Sequence, residues 1–399
     1  MFDKTTSLTL TLLGFAFFML GTSSLCVVGA FESVERLWGL SRTSTALLVA
    51  TFSAVLGLFA PILQMLVGHW PRRRQILIGL SVMAAGSIGL ALSPNQPILF
   101  AARFVMGLGA ALTSPVVLAL GSTIVPPALQ GRALATVVMG MSVASVLGVP
   151  ASTWMSNAVG VRWLFLLIGV LTVLSAGLIA VYVREDSSGI PLSRTQLLAL
   201  IRRPATISGL SVIFFLTAGV FVTYTMIAPI LRDHYGAGPK LITTALAIYG
   251  IAGLAGNLIV RQAATSYSAE RLLTIAMLVL TGGFTVLLVL PISVGVLFVV
   301  LSIWPVMVDI VWPSQQRRIV ELEPDFRGIA LALNSSCLFL GLAFGSSLGG
   351  VAYPALGFAA VLGCSIGLTS FALVALIYSQ RMRSTHIKPP GLVALHTHG

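Results

Sequence analysis

An all-helical membrane protein with twelve spans is predicted from the composition, the lengths of the apolar stretches and the placement of charge. Of the 399 residues, 57% are hydrophobic and only 9% are charged, and the mean hydropathy is +1.01. A soluble domain carries roughly a quarter charged residues, so this chain lacks the residues for a fully water-exposed surface. A span needs about 20 apolar residues. Twelve spans with short loops therefore account for almost the whole chain.

Each predicted span is an apolar stretch bounded by charge, glycine or proline. The twelve stretches are residues 8–31, 45–68, 75–92, 97–125, 133–155, 163–183, 207–231, 241–260, 272–290, 294–313, 329–351 and 358–379. The first stretch is longer than the apolar core of a signal peptide, and further spans follow it, so we expect it to be retained.

The spans divide into two sets of six around the most polar internal stretch. We predict six-helix halves at 1–183 and 205–379, a linker at 184–204 and a tail at 380–399. Seventeen Lys and Arg residues lie on the side of the N-terminus and five on the opposite side. Cytoplasmic loops carry the excess of Lys and Arg. Both termini and the linker are therefore predicted to be cytoplasmic.

An internal repeat relates the two halves. The triplet Ala-Leu-Ala that begins at Ala133 opens the fifth span, and the same triplet beginning at Ala330 opens the eleventh. At the same offset of 197 residues, Gly148 corresponds to Gly345. Two such halves, related by an axis along the membrane normal, form a known transporter plan with the substrate site between them. The repeat therefore predicts two pseudo-symmetric halves and favours transport.

Other functional classes lack a candidate site in the sequence. The net charge is +12, but the basic residues are dispersed, whereas nucleic-acid binding needs them on one exposed face. The sequence contains no phosphate-binding loop and no His, Cys or carboxylate cluster with metal-ligand spacing. Cys26, Cys337 and Cys364 all lie within apolar stretches, where we interpret them as packing residues. We therefore expect no enzyme activity, cofactor, metal or nucleic-acid partner.

The fourth and fifth spans carry motifs of a known family. From Arg103 the chain reads Arg-Phe-Val-Met-Gly-Leu-Gly-Ala, and from Gly140 it reads Gly-Met-Ser-Val-Ala-Ser-Val-Leu-Gly-Val-Pro. These patterns resemble the major facilitator superfamily, specifically its drug:proton antiporter branch with 12 spans, which includes drug, sugar, purine and nucleoside efflux proteins. The resemblance implies that Arg103 faces the cavity and acts in proton coupling. It also implies a conformational motif of Gly107, Gly140, Gly148 and Pro150.

Two positions depart from the pattern of that family. The loop after the second span keeps its basic cluster, Arg72, Arg73 and Arg74, which we add to the conformational motif, but it has Gly68 where an aspartate is usual. Ser24 lies where relatives often have a glutamate in the first span. Without that acid, Ser24 offers only a hydrogen bond to a substrate, and the N-terminal part of the cavity is expected to favour neutral or anionic ligands.

One acid, Asp309, lies well within a predicted span. A buried ionisable residue in a membrane is costly and by default marks a functional site. Ser302, Asp309 and Gln316 recur every seven residues, so they share one face of the tenth helix. Tyr224 matches the seventh span of the antiporter branch. The predicted substrate and proton pathway consists of Ser24, Arg103, Tyr224, Asp309 and Gln316.

Structural roles are the alternative for these side chains. Glycines and polar residues in membrane bundles also serve ordinary helix packing and interhelical hydrogen bonding. Arg103 lies near the start of its span, so snorkelling to the outer surface is its structural alternative. For Asp309, the alternative is a hydrogen bond or ion pair that holds the tenth helix in place. Arg103 is a doubtful partner for it, because the repeat sets the two about 13 Å apart along the axis.

The function expected from the sequence is export of a small organic compound by alternating access, with proton antiport. The partners expected are the substrate, protons and lipids, for a monomer in a bacterial inner membrane. Two alternatives remain open at this point. One is an uncoupled facilitator or an importer of a neutral or anionic solute, and the other is a ligand sensor that does not transport.

Overall fold

The computed structural model describes residues 3–126, 129–184, 188–189, 191–263, 266–290 and 293–386. Over these residues the chain is almost entirely helical, and the only β-structure described is an isolated bridge between Pro71 and Ser188. Eleven described helices are long and apolar enough to cross a membrane. The last of them contains two spans. The prediction of twelve spans in an all-α membrane protein is confirmed.

The described residues of the first half form eight α-helices, two of which build the fifth span together. They are α1 (Lys4–Gly29), α2 (Phe31–Trp38), α3 (Arg42–Val67), α4 (Arg72–Leu92), α5 (Gln96–Thr123), α6 (Gln130–Val143), α7 (Val149–Ala158) and α8 (Val161–Tyr182). The short helix α2 lies between the first two spans. Within the predicted linker, α9 covers Arg194–Ile201.

Six helices are described in the second half. They are α10 (Pro204–Thr225), α11 (Ile227–Tyr235), α12 (Pro239–Ala263), α13 (Ala269–Val289), α14 (Val294–Leu322) and α15 (Arg327–His386). Helix α14 continues nine residues beyond the predicted end of the tenth span at Pro313. It does so because a membrane helix can retain proline where its surroundings satisfy the freed backbone groups.

Gly357 divides α15 into the eleventh and twelfth spans. Its φ is 78° and its ψ is −167°, a conformation that breaks the helix. Residues with a Cβ rarely adopt this region, whereas glycine adopts it at no steric cost. The predicted gap at 352–357 therefore coincides with the reversal of the chain between two antiparallel spans.

A π-helical turn, Ala144–Gly148, joins α6 to α7 within the fifth span. Pro150 follows directly and has no backbone N–H to donate to the carbonyl of Val146. Its ring would also clash with that carbonyl in a regular α-helix. The wider turn accommodates both effects, and such turns often occur at functional sites.

The halves meet along two pairs of spans. Helix α3 packs on the first part of α15, and the fifth span packs on α12. A Cβ placed on Gly57 of α3 would lie 2.9 Å from the carbonyl oxygen of Ser336 on α15, so the two backbones approach closely. We call the side where α1 begins the N-terminal side and the opposite side the far side. The cytoplasmic orientation of the N-terminal side and the residue bounds of the two halves stay predictions.

Two predicted segments are described only in part. In the linker, residues 185–187 and 190 lie outside the described residues, as do residues 387–399 of the tail. The described part of the linker packs against the loop after the second span, since Gly189 N–H donates to the carbonyl of Trp70 at 3.2 Å.

Candidate functional site

Arg103 of α5 is completely buried in the first half. Its Nη1 and Nη2 donate to the carbonyl oxygens of Ser23 and Ser24 at 2.7 and 2.9 Å, and its Nε donates to the carbonyl of Leu48 at 3.2 Å. The guanidinium also lies over the ring of Phe52, 4.6 Å from its centroid. The arginine therefore ties α5 to α1 and α3 through backbone oxygens.

This placement differs from both expectations for Arg103. With 0% exposure, the side chain neither snorkels to the outer surface nor lines an open cavity in this conformation. The reason is that three donors of the planar guanidinium bind carbonyls of buried helix residues. Ser24 is buried as well, and its carbonyl, not its hydroxyl, contacts the arginine. Where relatives often have an acid in the first span, the backbone carbonyl of Ser24 therefore binds Arg103.

An aromatic cluster forms around Tyr224 in the second half. Tyr224 of α10 lies 4.7 Å from Tyr249 of α12 and 6.2 Å from Trp304 of α14, between ring centroids. Trp304 in turn packs edge-on against Phe284 of α13 at 5.0 Å. The Nε1 atom of Trp304 is buried without a hydrogen-bond partner. Four helices therefore converge on one aromatic cluster that contains an unsatisfied donor.

Asp309 lies on α14 against the glycine-rich face of α12. A Cβ placed on Gly253 would lie 2.5 Å from Asp309 Oδ2, and one placed on Gly256 would lie 3.0 Å from Asp309 Cβ. The described residues offer its carboxylate no hydrogen bond and no ion pair. Arg103 is therefore not its partner, in line with the separation inferred from the repeat. The glycines of α12 make room for the carboxylate without neutralising it.

The predicted polar face of α14 is only partly interior. Ser302 and Asp309 are half-buried, whereas Gln316 is exposed. The neighbouring Gln315 is the buried one, and its Nε2 donates to the carbonyl of Gly209 at 2.8 Å. Consecutive residues on a helix point about 100° apart, so Gln315 and Gln316 face different neighbours. Sequence reasoning missed Gln315, because the seven-residue spacing from Asp309 selects Gln316 and only packing against neighbouring helices decides which direction is interior.

The glycines of the fifth span face the first span of their own half. A Cβ on Gly140 would lie 2.0 Å from the carbonyl of Gly14, and one on Gly148 would lie 2.5 Å from Thr22 Oγ1. Gly107 of α5 makes a similar approach to α3. As part of the conformational motif that the resemblance implies, Gly148 is expected to make a helix contact that changes between transport states. Its observed neighbour is a helix of the same half, and a change of this contact between transport states stays a prediction.

The contact between the halves at this level is made by the residues between those glycines. A Cβ on Gly250 of α12 would lie 2.5 Å from the carbonyl oxygen of Ser145 and 2.6 Å from the Cα of Val146. Both residues belong to the π-helical turn. About two turns further along α12, Asn257 Nδ2 lies 3.4 Å from Ser142 Oγ. Helix α12 thus contacts the π-helical turn through Gly250, and it contacts Asp309 of α14 through Gly253.

The basic cluster after the second span is bound within the first half. Arg72 donates to Thr123 Oγ1 at 2.6 Å at the end of α5, Arg73 donates to the carbonyl of Ala180 on α8, and Arg74 lies over the ring of Trp70. These contacts join the start of the third span to the ends of the fourth and sixth spans. The arginines therefore hold together the N-terminal side of this half.

Gly68, which lies where the family pattern usually has an aspartate, allows the linker to pack closely against the loop after the second span. A Cβ at this position would lie 2.2 Å from the carbonyl of Gln64 and 2.9 Å from the Cα of Pro191 in the linker. The backbone N–H of Leu192 donates to that same carbonyl of Gln64 at 3.3 Å. The absence of a side chain at 68 is thus matched by a segment of chain that packs into the vacated space.

Restoring the aspartate is expected to impair this protein. In Gly68→Asp the new side chain meets two backbone groups, so the described linker residues 188–189 and 191–192 must move away from the loop. We expect faster proteolytic cleavage in the linker and reduced transport. Gly131→Asp is the matched control, because a Cβ at Gly131 has no neighbour within 4 Å. Equal protease sensitivity of the Gly68→Asp variant and the parent would contradict this account.

On the far side, ion pairs connect the two halves. Arg42 at the start of α3 lies 2.6 Å from Asp233 at the end of α11, and Arg232 lies 3.1 Å from Glu32 of α2. Tyr353 of α15 adds a hydrogen bond to Asp233 at 3.3 Å. On the N-terminal side, by contrast, Arg72 bonds to Thr123 and Arg318 pairs with Glu270, in each case within one half.

Protonation of Asp233 affects the far-side cluster only at low pH. Burial raises the pKa of Asp233, but hydrogen bonds and charge from Arg232 and Arg42 outweigh it, and the net pKa is below its usual value. The contribution of the Asp233 carboxylate to the stability of the far-side cluster is complete above the ordinary aspartate pKa of about 3.9. It is lost as pH falls below that value. Burial raises the pKa of Glu35 beside this cluster. Protonation of Glu35 on acidification therefore favours the closed far side.

Reversing one ion pair tests whether the far-side cluster holds the halves together. Arg42→Asp and Asp233→Arg each place like charges opposite one another, so each should widen the distance between spin labels at Leu37 and Lys240. Combining the two substitutions should restore the parent distance in part. The parent distance should stay constant between pH 8 and pH 5, because Asp233 stays ionised in this range and protonation of Glu35 favours the closed far side. Single variants with an unchanged distance distribution would show that the cluster does not hold the halves.

Comparison with known proteins agrees with this architecture. The model of the major facilitator superfamily matches residues 11–322 and 210–395. The chain is 28% identical over 342 residues to the uncharacterised MFS-type transporter YbcL of Bacillus subtilis (strain 168), covering 84% of this chain and 86% of the relative. It is 27% identical over 397 residues to a chloramphenicol efflux pump of Mycobacterium tuberculosis (strain ATCC 25618 / H37Rv), covering 96% and 94%.

The fold is shared with solved transporter structures. The crystal structure of a D-xylose-proton symporter superposes with a TM-score of 0.74 at 16% identity, covering 94% of this chain and 96% of the symporter. The family match extends over both six-span halves and the linker between them. The family predicted from the motifs in the fourth and fifth spans is confirmed, and this multi-pass membrane protein belongs to the major facilitator superfamily of transporters.

Proposed function

We propose that the protein exports a small, largely apolar organic compound by proton antiport. Asp309 carries this proposal, because it is the one acid well inside a span and has no hydrogen bond or ion pair among the described residues. An ionised carboxylate at this depth is costly. Binding and release of a proton at Asp309 therefore change the electrostatic energy of the bundle, and this change is what couples a proton to a conformational cycle.

The aromatic cluster supports an apolar substrate. Tyr224, Tyr249 and Trp304 contact one another on helices that converge at mid-span. Asp309 lies five residues, or roughly 7.5 Å along the axis, from Trp304 on the same helix. Ligand sites of this kind combine apolar and aromatic walls with a few polar groups. A substrate that packs on these rings and accepts a hydrogen bond from Trp304 Nε1 fits the geometry.

The conformational cycle follows from the two kinds of contact between the halves. On the far side the halves are tied by ion pairs, and at mid-span α12 packs on the π-helical turn. Transporters built from two such halves rock about a central site. In the proposed cycle, this conformation is closed to the far side and admits substrate from the N-terminal side, which the charge count assigns to the cytoplasm.

Transport into everted vesicles is the experiment that tests export. Because a chloramphenicol efflux pump is among the relatives, the substrate panel begins with chloramphenicol and continues with neutral and anionic aromatic compounds. A pH gradient, acid inside, should drive accumulation of a substrate, and collapsing the gradient should abolish it. No accumulation of any compound in vesicles that contain folded protein would overturn the proposal.

Uncoupled facilitation is the second candidate, and one observation favours it. The first span has Ser24 where relatives often have an acid, and the guanidinium of Arg103 is bound to helix carbonyls. Under this reading, Asp309 only positions helices, and flux runs down the gradient of the substrate. The two candidates separate in the same vesicles, because facilitated flux reaches equilibrium at the same level with and without a pH gradient.

A further inference from the structure

A groove on the far side of the first half combines two arginines with an apolar rim. It has a volume of about 580 Å³ and lies between the end of α2, the end of α7 and the start of α8. Arg36 and Arg162 both line it, and its ten lining residues include no acid. The groove is separate from the aromatic cluster and from Asp309, which belong to the second half.

Both arginines are held in place while most of their donors stay available. Arg36 Nη2 donates to Asn157 Oδ1 at 3.4 Å, and Arg162 Nη2 donates to the carbonyl of Ser93 at 3.3 Å. Arg162 also lies over the ring of Trp38, 5.9 Å from its centroid. A guanidinium has five N–H donors arranged to bind phosphate. Two exposed, oriented guanidinium groups therefore form a site for an anion with several oxygens.

The groove continues into a stripe of exposed apolar side chains on α8. Trp163 at the rim is 58% exposed, and Leu167, Val170 and Leu174 follow it at helical spacing, all at least 42% exposed. Such a stripe on a membrane span faces lipid chains. Tryptophan is enriched where the membrane meets water, and α8 begins at this level. The cationic groove thus lies at the headgroup level, directly above an acyl-chain surface.

We propose that this groove binds one anionic phospholipid of the far-side leaflet. The phosphate and the anionic headgroup lie between Arg36 and Arg162, the glycerol region packs on Trp163, and one acyl chain follows the stripe on α8. Charge complementarity selects an anionic lipid over a zwitterionic one. The apolar stripe selects a lipid over a soluble anion, because only a lipid contacts both surfaces at once.

Lipid titration of the purified protein in detergent tests the proposal. Phosphatidylglycerol should remain bound as a single molecule in native mass spectrometry and should raise the thermal unfolding temperature, whereas phosphatidylcholine should do neither. Each of Arg36→Gln and Arg162→Gln should weaken phosphatidylglycerol binding about fivefold, and both together about 30-fold, from the usual strength of one basic residue at an anionic surface. Lys240→Gln removes a charge on the same side of the other half and should leave binding unchanged.

Two further arms keep the test decisive. Trp163→Ala retains both charges and should still weaken phosphatidylglycerol binding, and Arg162→Lys should restore part of the binding lost in Arg162→Gln. If glycerol 3-phosphate alone stabilises the protein as well as phosphatidylglycerol does, the ligand is a soluble anion and the lipid proposal is wrong. Equal binding of phosphatidylglycerol to the parent and to the double arginine variant would also overturn it.

Discussion

Asp309→Asn is expected to abolish substrate accumulation driven by a pH gradient. The substitution keeps the shape of the side chain and removes its titration, so α14 should keep its packing on Gly253 and Gly256. A pH gradient equivalent to about 100 mV provides about 2.3 kcal/mol for each proton that crosses the membrane. With one proton exchanged per substrate, this corresponds to roughly 50-fold accumulation of a neutral substrate. We expect the parent to approach this ratio and the variant to reach only the equilibrium level.

Substrate binding and exchange distinguish a coupling role from a structural one. Asp309→Asn should still bind substrate and exchange it across the membrane without a gradient. Asp325→Asn is the matched control, because it makes the same chemical change at an exposed residue between α14 and α15. If the Asp309→Asn variant concentrates substrate as well as the parent over a range of pH, Asp309 does not couple protons in this protein.

Gly250→Leu is expected to stop transport at the contact between the halves. Even the first side-chain atom would lie 2.5 Å from the carbonyl of Ser145, in the backbone of the π-helical turn. Backbone at this position has little freedom to move, because Gly148 and Gly140 hold the fifth span closely against α1. The added side chain therefore separates α12 from the fifth span. Transport should fall to background, with a smaller loss in Gly250→Ala.

Distance measurements show whether this loss comes from the conformational cycle. Spin labels on the N-terminal side of the two halves should report a wider separation in Gly250→Leu than in the parent, while the amount of folded protein stays similar. Gly282→Leu is the matched control in the same half, since a Cβ there has no neighbour within 4 Å. Normal transport by an equally expressed Gly250→Leu variant would show that this contact need not close.

The number and positions of the spans could be predicted from local sequence alone. In lipid, a backbone segment must satisfy its own hydrogen bonds, so each long apolar stretch forms a helix whatever its neighbours are. The predicted eleventh and twelfth spans, for example, end and begin on either side of Gly357, where the backbone leaves the helix. The family motifs that begin at Arg103 and Gly140 could also be recognised from the sequence, because their residues lie close together in the chain.

The rotational setting of each helix was harder to predict. A face of α14 with Asp309 at its centre was identified from spacing, but the interior side chain near its end is Gln315, not Gln316. One residue changes direction by about 100° on a helix. Only packing against neighbouring helices selects the rotation, and Pro305 and Pro313 within α14 alter its course further. Spacing alone therefore identifies a polar face with an error of about one residue.

The sequence by itself determined the membrane class, the twelve spans, the two-fold repeat, the family and the isolated acid at Asp309. Only the tertiary structure decided that Arg103 binds the carbonyls of α1, that Gly250 meets the π-helical turn, and that Arg42 pairs with Asp233. The physical reason is the range of the interactions. Hydrophobicity and backbone hydrogen bonding act within one helix, whereas these contacts join residues about 80 to 190 positions apart, whose meeting depends on how all the helices pack.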